Sequence, residues 1–569
     1  MQASQYFQDL SDYRALVPYA LLGLVAGLLS AAAVLAFEWQ IEALGYLWLG
    51  AGSPDGFEAL PAWQRFVIPL AAAAVLGIVF GALKPEDRET GIVHVLSRMH
   101  SHYGQLPLRN ALVQFFGGAV ALAGGHSGGR EGPGVQLGAA ISSWLSLWLQ
   151  LPNNSQRILI ACGTAGSIAA AFNTPLAGVV FAMEVIVAEY TVIGFTPVLV
   201  AAISATTLSQ ALGGGFSGFA IPELGLTSLL ELPLILLLGI AAGVAAGAFA
   251  WLLNLCLRAG RLPPLVRFLM AGLLTGSLGL VVPEVLGLGY DSLALAVQGG
   301  IGPLALGMLL GAKLLATSVT VGLGLPVGVI GPSLIIGSCV GGLVGFAGIA
   351  VLPEYSSDLS LYIVIGMGAG MAAMLNAPLA ALLAVVELTG NVSVVFPTML
   401  AIVAATLTTT AGLRARSAHR TVLRFLQRAI PEDAISQLLH QTNVLTAMDR
   451  SVRALNHGLG REDYPLETPP NWCLLKREEE YLFLVRGTEV TDLVSPLAEE
   501  ARIDLMEQDL RRWSITRVSP RATLREALDA MRREDAEAAV VMDKRVAGDL
   551  GIRGVLTRDI IDQFYLMRL

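Results

Sequence analysis

Two long stretches of this 569-residue chain carry no basic residue: none falls between Arg157 and Arg258, and none between Lys313 and Arg414. A soluble domain is about a quarter charged, so stretches like these cannot face water. Up to Leu413 there are 12 Lys/Arg and 19 Asp/Glu, about 7.5% of positions; from Arg414 to Leu569 there are 24 and 25, about 31%. The first part suits lipid and the tail suits water. The same contrast excludes disorder, a coiled coil and an ordinary soluble enzyme. The net charge of −8 divides into −7 and −1, which leaves no basic face for nucleic acid.

A membrane-crossing helix needs about 20 apolar residues. Val17 to Phe37, Phe66 to Leu83, Leu229 to Leu257 and Ile301 to Leu323 reach or approach that length. Other apolar runs are interrupted around Gly128–Pro133, Asn173–Pro175, Gly322–Pro332 and Asn376–Pro378. Broken helices at membrane depth survive only where the freed backbone is buried or lines a cavity, so such breaks point to a transport site. Residues 1–15 are polar, with Asp9 and Asp12 and no basic n-region, which predicts a cytoplasmic N-terminal segment and no signal peptide. Cys162, Cys256, Cys339 and Cys473 lie far apart without a CxxC spacing and read as small apolar packing residues.

The breaks repeat. Asn173-Thr174-Pro175-Leu176-Ala177, leading to Glu184, resembles Asn376-Ala377-Pro378-Leu379-Ala380, leading to Glu387, at an offset of 203 residues. Upstream of each lies a Gly-x-x-Gly-Pro, Gly129 to Pro133 and Gly328 to Pro332, at an offset of 199. Two halves carrying the same breaks in the same order predict a duplicated, transporter-like fold.

Gly128-Gly129-Arg130-Glu131-Gly132-Pro133 bears the most chemistry. A charge near mid-membrane costs about 2.5–3.5 kcal/mol even on lenient scales, so Arg130 and Glu131 need a reason to be there. Pro133 marks a helix running into Gly134 to Ser146. Its unpaired N–H groups and positive dipole end suit an anion. A carboxylate there occupies the anion's place when ionised and leaves it when protonated, which makes Glu131 a gate; the alternative is an Arg130–Glu131 pair on a loop outside the membrane. Gly328-Val329-Ile330-Gly331-Pro332 offers a second, uncharged helix start, and Thr90-Gly91-Ile92 a third. Three converging helix starts can hold a chloride-sized anion without a fixed cation, weakly enough for release.

Arg414, Arg416, Arg420, Arg424 and Arg428 follow the last apolar run and place the tail in the cytoplasm. Thr523 to Asp535 has helical spacing, Ala538 to Met542 and Ile552 to Leu556 read as strands, and a final helix starts at Arg558.

These motifs resemble the CLC chloride channels and exchangers. Gly129 to Pro133 looks like their Gly-Lys/Arg-Glu-Gly-Pro motif, and Gly328 to Pro332 like Gly-x-Phe-x-Pro with Ile330 in place of Phe. Glu89-Thr90-Gly91-Ile92-Val93 looks like Gly-Ser-Gly-Ile-Pro with Thr90 for Ser and Val93 for Pro. The resemblance implies an all-α polytopic membrane domain of two inverted repeats with broken helices over residues 16–425. It also implies a homodimer in a lipid bilayer with one anion pathway per subunit. Thr90, Gly91, Ile92, Gly129, Arg130, Glu131, Val329, Ile330 and Gly331 would line the pathway, with Glu131 as the external gate. Family exchangers carry a second glutamate directly after the position of Glu184; here it is Val185. The central tyrosine of the family has its nearest match in His419, which also reads as an ordinary helix residue beside the basic run.

The tail, 426–569, resembles a cytoplasmic α/β pair of cystathionine β-synthase (CBS) modules. The first is degenerate, around Val444 to Met448 and Val490 to Asp492; the second spans about 515–569. Such pairs often bind adenine nucleotides, here through Thr557 and Asp559, although Thr557-Arg558-Asp559 is one residue shorter than the usual pattern; a purely structural dimerisation module is the alternative. The expected function is channel-like transport of chloride or another small anion across the plasma (inner) membrane, gated by Glu131 and not strictly proton-coupled. Chloride/proton exchange is the alternative, and a membrane-anchored nucleotide sensor with vestigial transport a second. No catalytic site, metal site or required cofactor is expected.

Overall fold

Where the chain is apolar it is helical, because a backbone in lipid must satisfy its own hydrogen bonds. The computed structural model describes residues 16–49, 56–102, 104–188, 192–214, 224–428, 439, 442–477, 480–498, 501–543 and 551–566. The expected N-terminal segment 1–15 lies outside them. The chain divides into two units: Leu16–Leu149 with Arg157–Ile430, and Met1–Ala15 with Gln150–Gln156 and Pro431–Leu569.

The larger unit contains α1 (Leu16–Leu49), α2 (Ala62–Ala82), α3 (Gly91–Ser101), α4 (Leu108–Ala123), α5 (Glu131–Trp148), α6 (Asn153–Phe172) from Arg157 onward, α7 (Pro175–Phe181) and α8 (Val192–Ala211). It continues through α9 (Leu232–Leu257), α10 (Pro264–Val281), α11 (Tyr290–Val297), α12 (Pro303–Gly322), α13 (Ile330–Val351), α14 (Leu359–Leu375), α15 (Pro378–Thr389), α16 (Val395–Leu407) and α17 (Ala418–Phe425). Among the described residues, seven of these helices, α1, α2, α9, α10, α12, α13 and α16 with their flanking turns, are long and apolar enough to cross a membrane. Their outward residues stay apolar: Leu21, Ile78, Trp251, Leu273 and Leu304 are exposed. A surface like this belongs in lipid.

The duplication is built into the geometry. Asn173 and Asn376 end α6 and α14 at φ 58° and 55°, a left-handed conformation that asparagine tolerates better than most residues. Pro175 and Pro378 then open α7 and α15, where a missing N–H loses no helical bond. α5 crosses α6, and α13 crosses α14, at paired glycines offset by the same 199 and 203 residues. A Cβ on Gly163 would collide with Gly138 O, and one on Gly366 with Gly337 O.

Each repeat also caps the other. The Glu184 carboxylate accepts the N–H groups of Leu379 (3.3 Å) and Ala380 (2.9 Å) at the start of α15. Glu387 accepts those of Leu176 (2.9 Å) and Ala177 (2.8 Å) at the start of α7. Negative charge at a helix N-terminus is favourable, and four otherwise orphaned donors are satisfied. Val185, beside Glu184, sits half-buried in a π-helical turn, Ala182–Val187.

The smaller unit is α/β. Its main sheet runs β1 (Val452–Asn456), β3 (Trp472–Arg477), β4 (Glu480–Arg486), β6 (Trp513–Val518), β7 (Ala538–Met542) and β8 (Ile552–Thr557); β2 (Gly458–Gly460) pairs with β5 (Arg502–Asp504). Its helices are α18 (Val444–Ala447), α19 (Gly487–Val494), α20 (Leu524–Arg533) and α21 (Arg558–Leu566). Within each half of the main sheet, one parallel pair, β1–β3 or β6–β7, is followed by one antiparallel pair, β3–β4 or β7–β8. The second half runs strand, helix, strand, strand, helix; periodicity predicts the last four of these but not β6, and Thr523 Oγ1 caps α20. In the first half β2 and a short turn stand where α20 has its counterpart. Leu524, Ala527, Met531, Val541 and Leu556 form one apolar core, and Leu455, Cys473, Val485, Val490 and Val494 another.

Candidate functional site

The two Gly-Pro breaks meet. Gly129 N–H donates to Gly328 O at 2.8 Å and Gly328 N–H to Gly129 O at 2.7 Å, an isolated antiparallel bridge between the repeats. A Cβ on Gly328 would lie 2.6 Å from Gly132 N, and one on Gly132 would lie 2.6 Å from Gly328 Cα. Backbones this close admit no side chain. The bridge consumes the Gly129 amide, which the motif alone assigns to an anion.

α5 begins at Glu131, with Pro133 in its first turn. This puts Glu131 in the first helical turn. Glu131 is 1% exposed. Its Oε2 accepts the Gly331 N–H, in the first turn of α13, at 3.2 Å, and its Oε1 accepts the Tyr290 hydroxyl at the start of α11. The loop alternative fails here, because Glu131 is buried and the Arg130 guanidinium is held elsewhere. Arg130 Nη1 lies 3.3 Å from Glu38 Oε1, and Nη2 donates to Ala171 O at 3.0 Å. Arg130 therefore braces the break and is not itself presented as an anion ligand.

The third helix start differs from expectation. Gly91 N–H donates to Gln114 Oε1 at 2.8 Å and also to Gln136 Oε1, so glutamine side chains take the first amide of α3. Thr90 precedes α3 without making a side-chain cap. Thr90, Gly91, Ile92, Val329 and His419 do come together, in the wall of one cavity of about 540 Å³ that also reaches Gly132 and Gly328. Glu131, Ile330 and Gly331 are not part of that wall. His419, at the start of α17, is buried, and its Nδ1 has no hydrogen-bond partner among the described residues.

The cavity is electropositive. Arg88, Arg261, Arg267 and Arg428 line it against one carboxylate, Glu89, an arrangement that concentrates anions. Glu89 is paired with Arg428 at 2.5 Å and with His94 at 3.1 Å. Burial alone would raise its carboxyl, but the hydrogen bonds from His94 and Arg428 outweigh burial and bring it down to about 2.

In the smaller unit Thr557 and Asp559 line a separate cavity of about 390 Å³ with Asp449, Trp472, Arg486 and Trp513. The two tryptophans meet edge to face at 5.3 Å, and the Arg486 guanidinium lies over both rings.

A family model described as voltage gated chloride channel matches residues 70–410. The chain belongs to the CLC family. A ClcB-like protein of Ralstonia nicotianae is 34% identical over 390 residues, covering 66% of this CLC chain and 91% of the relative. An H(+)/Cl(-) exchange transporter ClcA of Vibrio cholerae is 30% identical over 424 residues, covering 72% and 84%. Among solved structures, a slow cyanobacterial Cl-/H+ antiporter matches with a TM-score of 0.62 and 25% identity, over 73% of this chain and 98% of that one. A eukaryotic CLC transporter shares the fold at 18% identity, with a TM-score of 0.61 over 96% of this chain and 98% of that one.

Motif reading misses three residues of this CLC site: Gln114, Gln136 and Tyr290. Gln114 and Gln136 carry no local signal, since each acts on a helix far away in sequence. Tyr290 follows Gly287 and Gly289, both at positive φ. That glycine-punctuated break resembles the others and could have marked it.

Proposed function

We propose that this CLC protein conducts chloride passively along the path that the Glu131 carboxylate closes, channel-like and without strict proton coupling. The observation that carries this reading is the carboxylate resting on the Gly331 amide. A negative side chain holds the place that a helix N-terminus offers an anion, and protonation removes the competitor. Strict coupling needs a further proton carrier on the other side of the gate. Val185 brings none, and Glu184 is engaged as a helix cap. A cavity of about 20 Å³ beside Phe172 and Ile330 has apolar walls apart from Thr174. It has room for about one water but lacks the two to four polar partners that would hold it.

Chloride/proton exchange is the second reading, favoured by the names of the Vibrio cholerae relative and of the cyanobacterial structure. On either reading the protein works as a homodimer in the plasma membrane, with Thr90, Ile92, Val329 and His419 lining the approach to the gate and the tail in the cytoplasm. The tail is read as a CBS pair, on the strand and helix order of its second half. The cavity lined by Trp472, Trp513 and Asp559 takes an adenine nucleotide, with Asp559 toward the ribose.

The test is chloride efflux from vesicles reconstituted with the purified full chain, followed with a chloride electrode between pH 4.5 and 7.5. Efflux that rises on acidification, and that loses this dependence in Glu131→Gln, supports the reading. Vesicles no leakier to chloride than empty ones refute it.

A further inference from the structure

Tyr290 is absent from every motif, yet its hydroxyl reaches the gate. It is buried at the head of α11. Phe172 of α6 packs edge-on against its ring at 6.0 Å, and the Arg130 guanidinium lies 5.6 Å from the ring centroid. These neighbours, from two other segments, fix the ring and aim the hydroxyl at Glu131 Oε1. A Cβ built on Gly331 would stand 2.8 Å from Tyr290 Oη. The phenol O–H and the Gly331 N–H therefore border one small space, and the Glu131 carboxylate fills it.

When that carboxylate leaves, two buried donors lose their acceptor, which is unfavourable unless something replaces it. A dehydrated anion in the vacated space satisfies both. We propose that Tyr290 is a further anion ligand of the pathway and the latch of its gate: one hydroxyl donates to Glu131 when the path is closed and to the anion when it is open. The proposal rests on Glu131 being the gate. A phenol is neutral, so the site releases what it binds, and a localised O–H donor favours compact halides over the diffuse charge of nitrate. The charged groups around the carboxylate are few. Arg130 is paired with Glu38 of α1. Lys313 of α12 lies behind Tyr290 and donates to Val285 O and Gly287 O at 3.1 and 3.3 Å. Asp291, next along α11, is exposed. α13 and α6 bring Gly331 and Phe172, without charge.

The test compares wild type, Tyr290→Phe, Glu131→Gln and the double variant of the full chain in vesicles, with chloride binding to detergent-purified protein measured by calorimetry. With the latch gone, Tyr290→Phe passes chloride severalfold faster than wild type at pH 7.5, and its pH profile flattens toward that of Glu131→Gln. In the Glu131→Gln background the same change leaves the pH profile where it is. There it weakens chloride binding severalfold and raises nitrate flux relative to chloride. A Tyr290→Phe protein with the wild-type pH profile overturns the latch. Unchanged chloride binding in the double variant overturns the ligand role, and calorimetry needs no flux to show it. If Glu131→Gln itself leaves the pH profile unchanged, the gate reading has failed instead.

Discussion

Glu131 and Gly331 stand on opposite repeats, yet the carboxylate of one accepts the backbone N–H of the other at 3.2 Å. The duplicated breaks thus meet at one contact: α5 supplies the negative group and α13 the donor it rests on. Neither repeat could make this contact alone, because the second motif has no carboxylate and the first has no partner helix start.

The Gly129–Gly328 bridge tolerates no side chain. In Gly328→Ala the new Cβ meets Gly132 N at 2.6 Å and Gly129 O at 2.8 Å, both backbone atoms, the second of them held by the reciprocal hydrogen bonds. Overpacking of this kind costs about 1–3 kcal/mol. We expect a thermal midpoint several degrees lower in detergent and at least tenfold slower chloride efflux. Wild-type efflux would show that the bridge can part.

Glu184 and Glu387 are caps, so their loss should affect stability and leave gating alone. Hydrogen bonds to charged groups contribute about 1.5–3 kcal/mol, and each carboxylate accepts two. Glu184→Gln and Glu387→Gln should each lower stability by about 2 kcal/mol, read from thermal melts, with the pH profile of efflux unchanged. A Glu184→Gln protein whose pH profile shifts as far as that of Glu131→Gln would put Glu184 on a proton route.

Glu89 predicts a pH-dependent stability term. Its carboxyl is brought from 4.5 down to about 2 by His94 and Arg428 against the opposing effect of burial. A carboxyl lowered on folding stabilises above its ordinary titration range, and that contribution is lost as pH falls from about 4.5 toward 2. Both partners are partly exposed, so Arg428→Ala should destabilise by only about 1 kcal/mol at neutral pH. Melts of the two proteins should converge as pH falls through that window. A gap that stays constant to the acid end would assign the effect to lost packing.

The tail cavity predicts ligand-dependent melting. Adenosine triphosphate at millimolar concentration should raise the thermal midpoint of the purified chain by a few degrees, and Asp559→Ala should abolish the rise. An unchanged wild-type midpoint would leave the tail a structural module.

The repeat was legible because its geometry is local. Asparagine at a left-handed helix end, proline in the next first turn and a carboxylate downstream each leave a residue-type signature, and the offsets of 203 and 199 align them. The second half of the tail was legible for the same reason, through its periods of two and 3.6. The partners across the fold were not. Nothing near Arg130 announces Glu38, nothing near Gly91 announces Gln114 and Gln136, and nothing near Glu131 announces Tyr290, 159 residues away. Motif spacing finds helix starts, but only tertiary packing decides where each amide goes: Gly129 to Gly328 O, Gly91 to two glutamine side chains and Gly331 to the Glu131 carboxylate.

The most direct measurement of the central claim sets a chloride gradient across reconstituted vesicles with no pH difference, and follows chloride and internal pH together. Passive conduction past Glu131 predicts rapid chloride movement, speeded by external acid, with no uphill proton movement once a potassium ionophore clamps the voltage. Proton movement driven by the chloride gradient, building up a pH difference in fixed ratio to chloride, would contradict it and make the protein an exchanger.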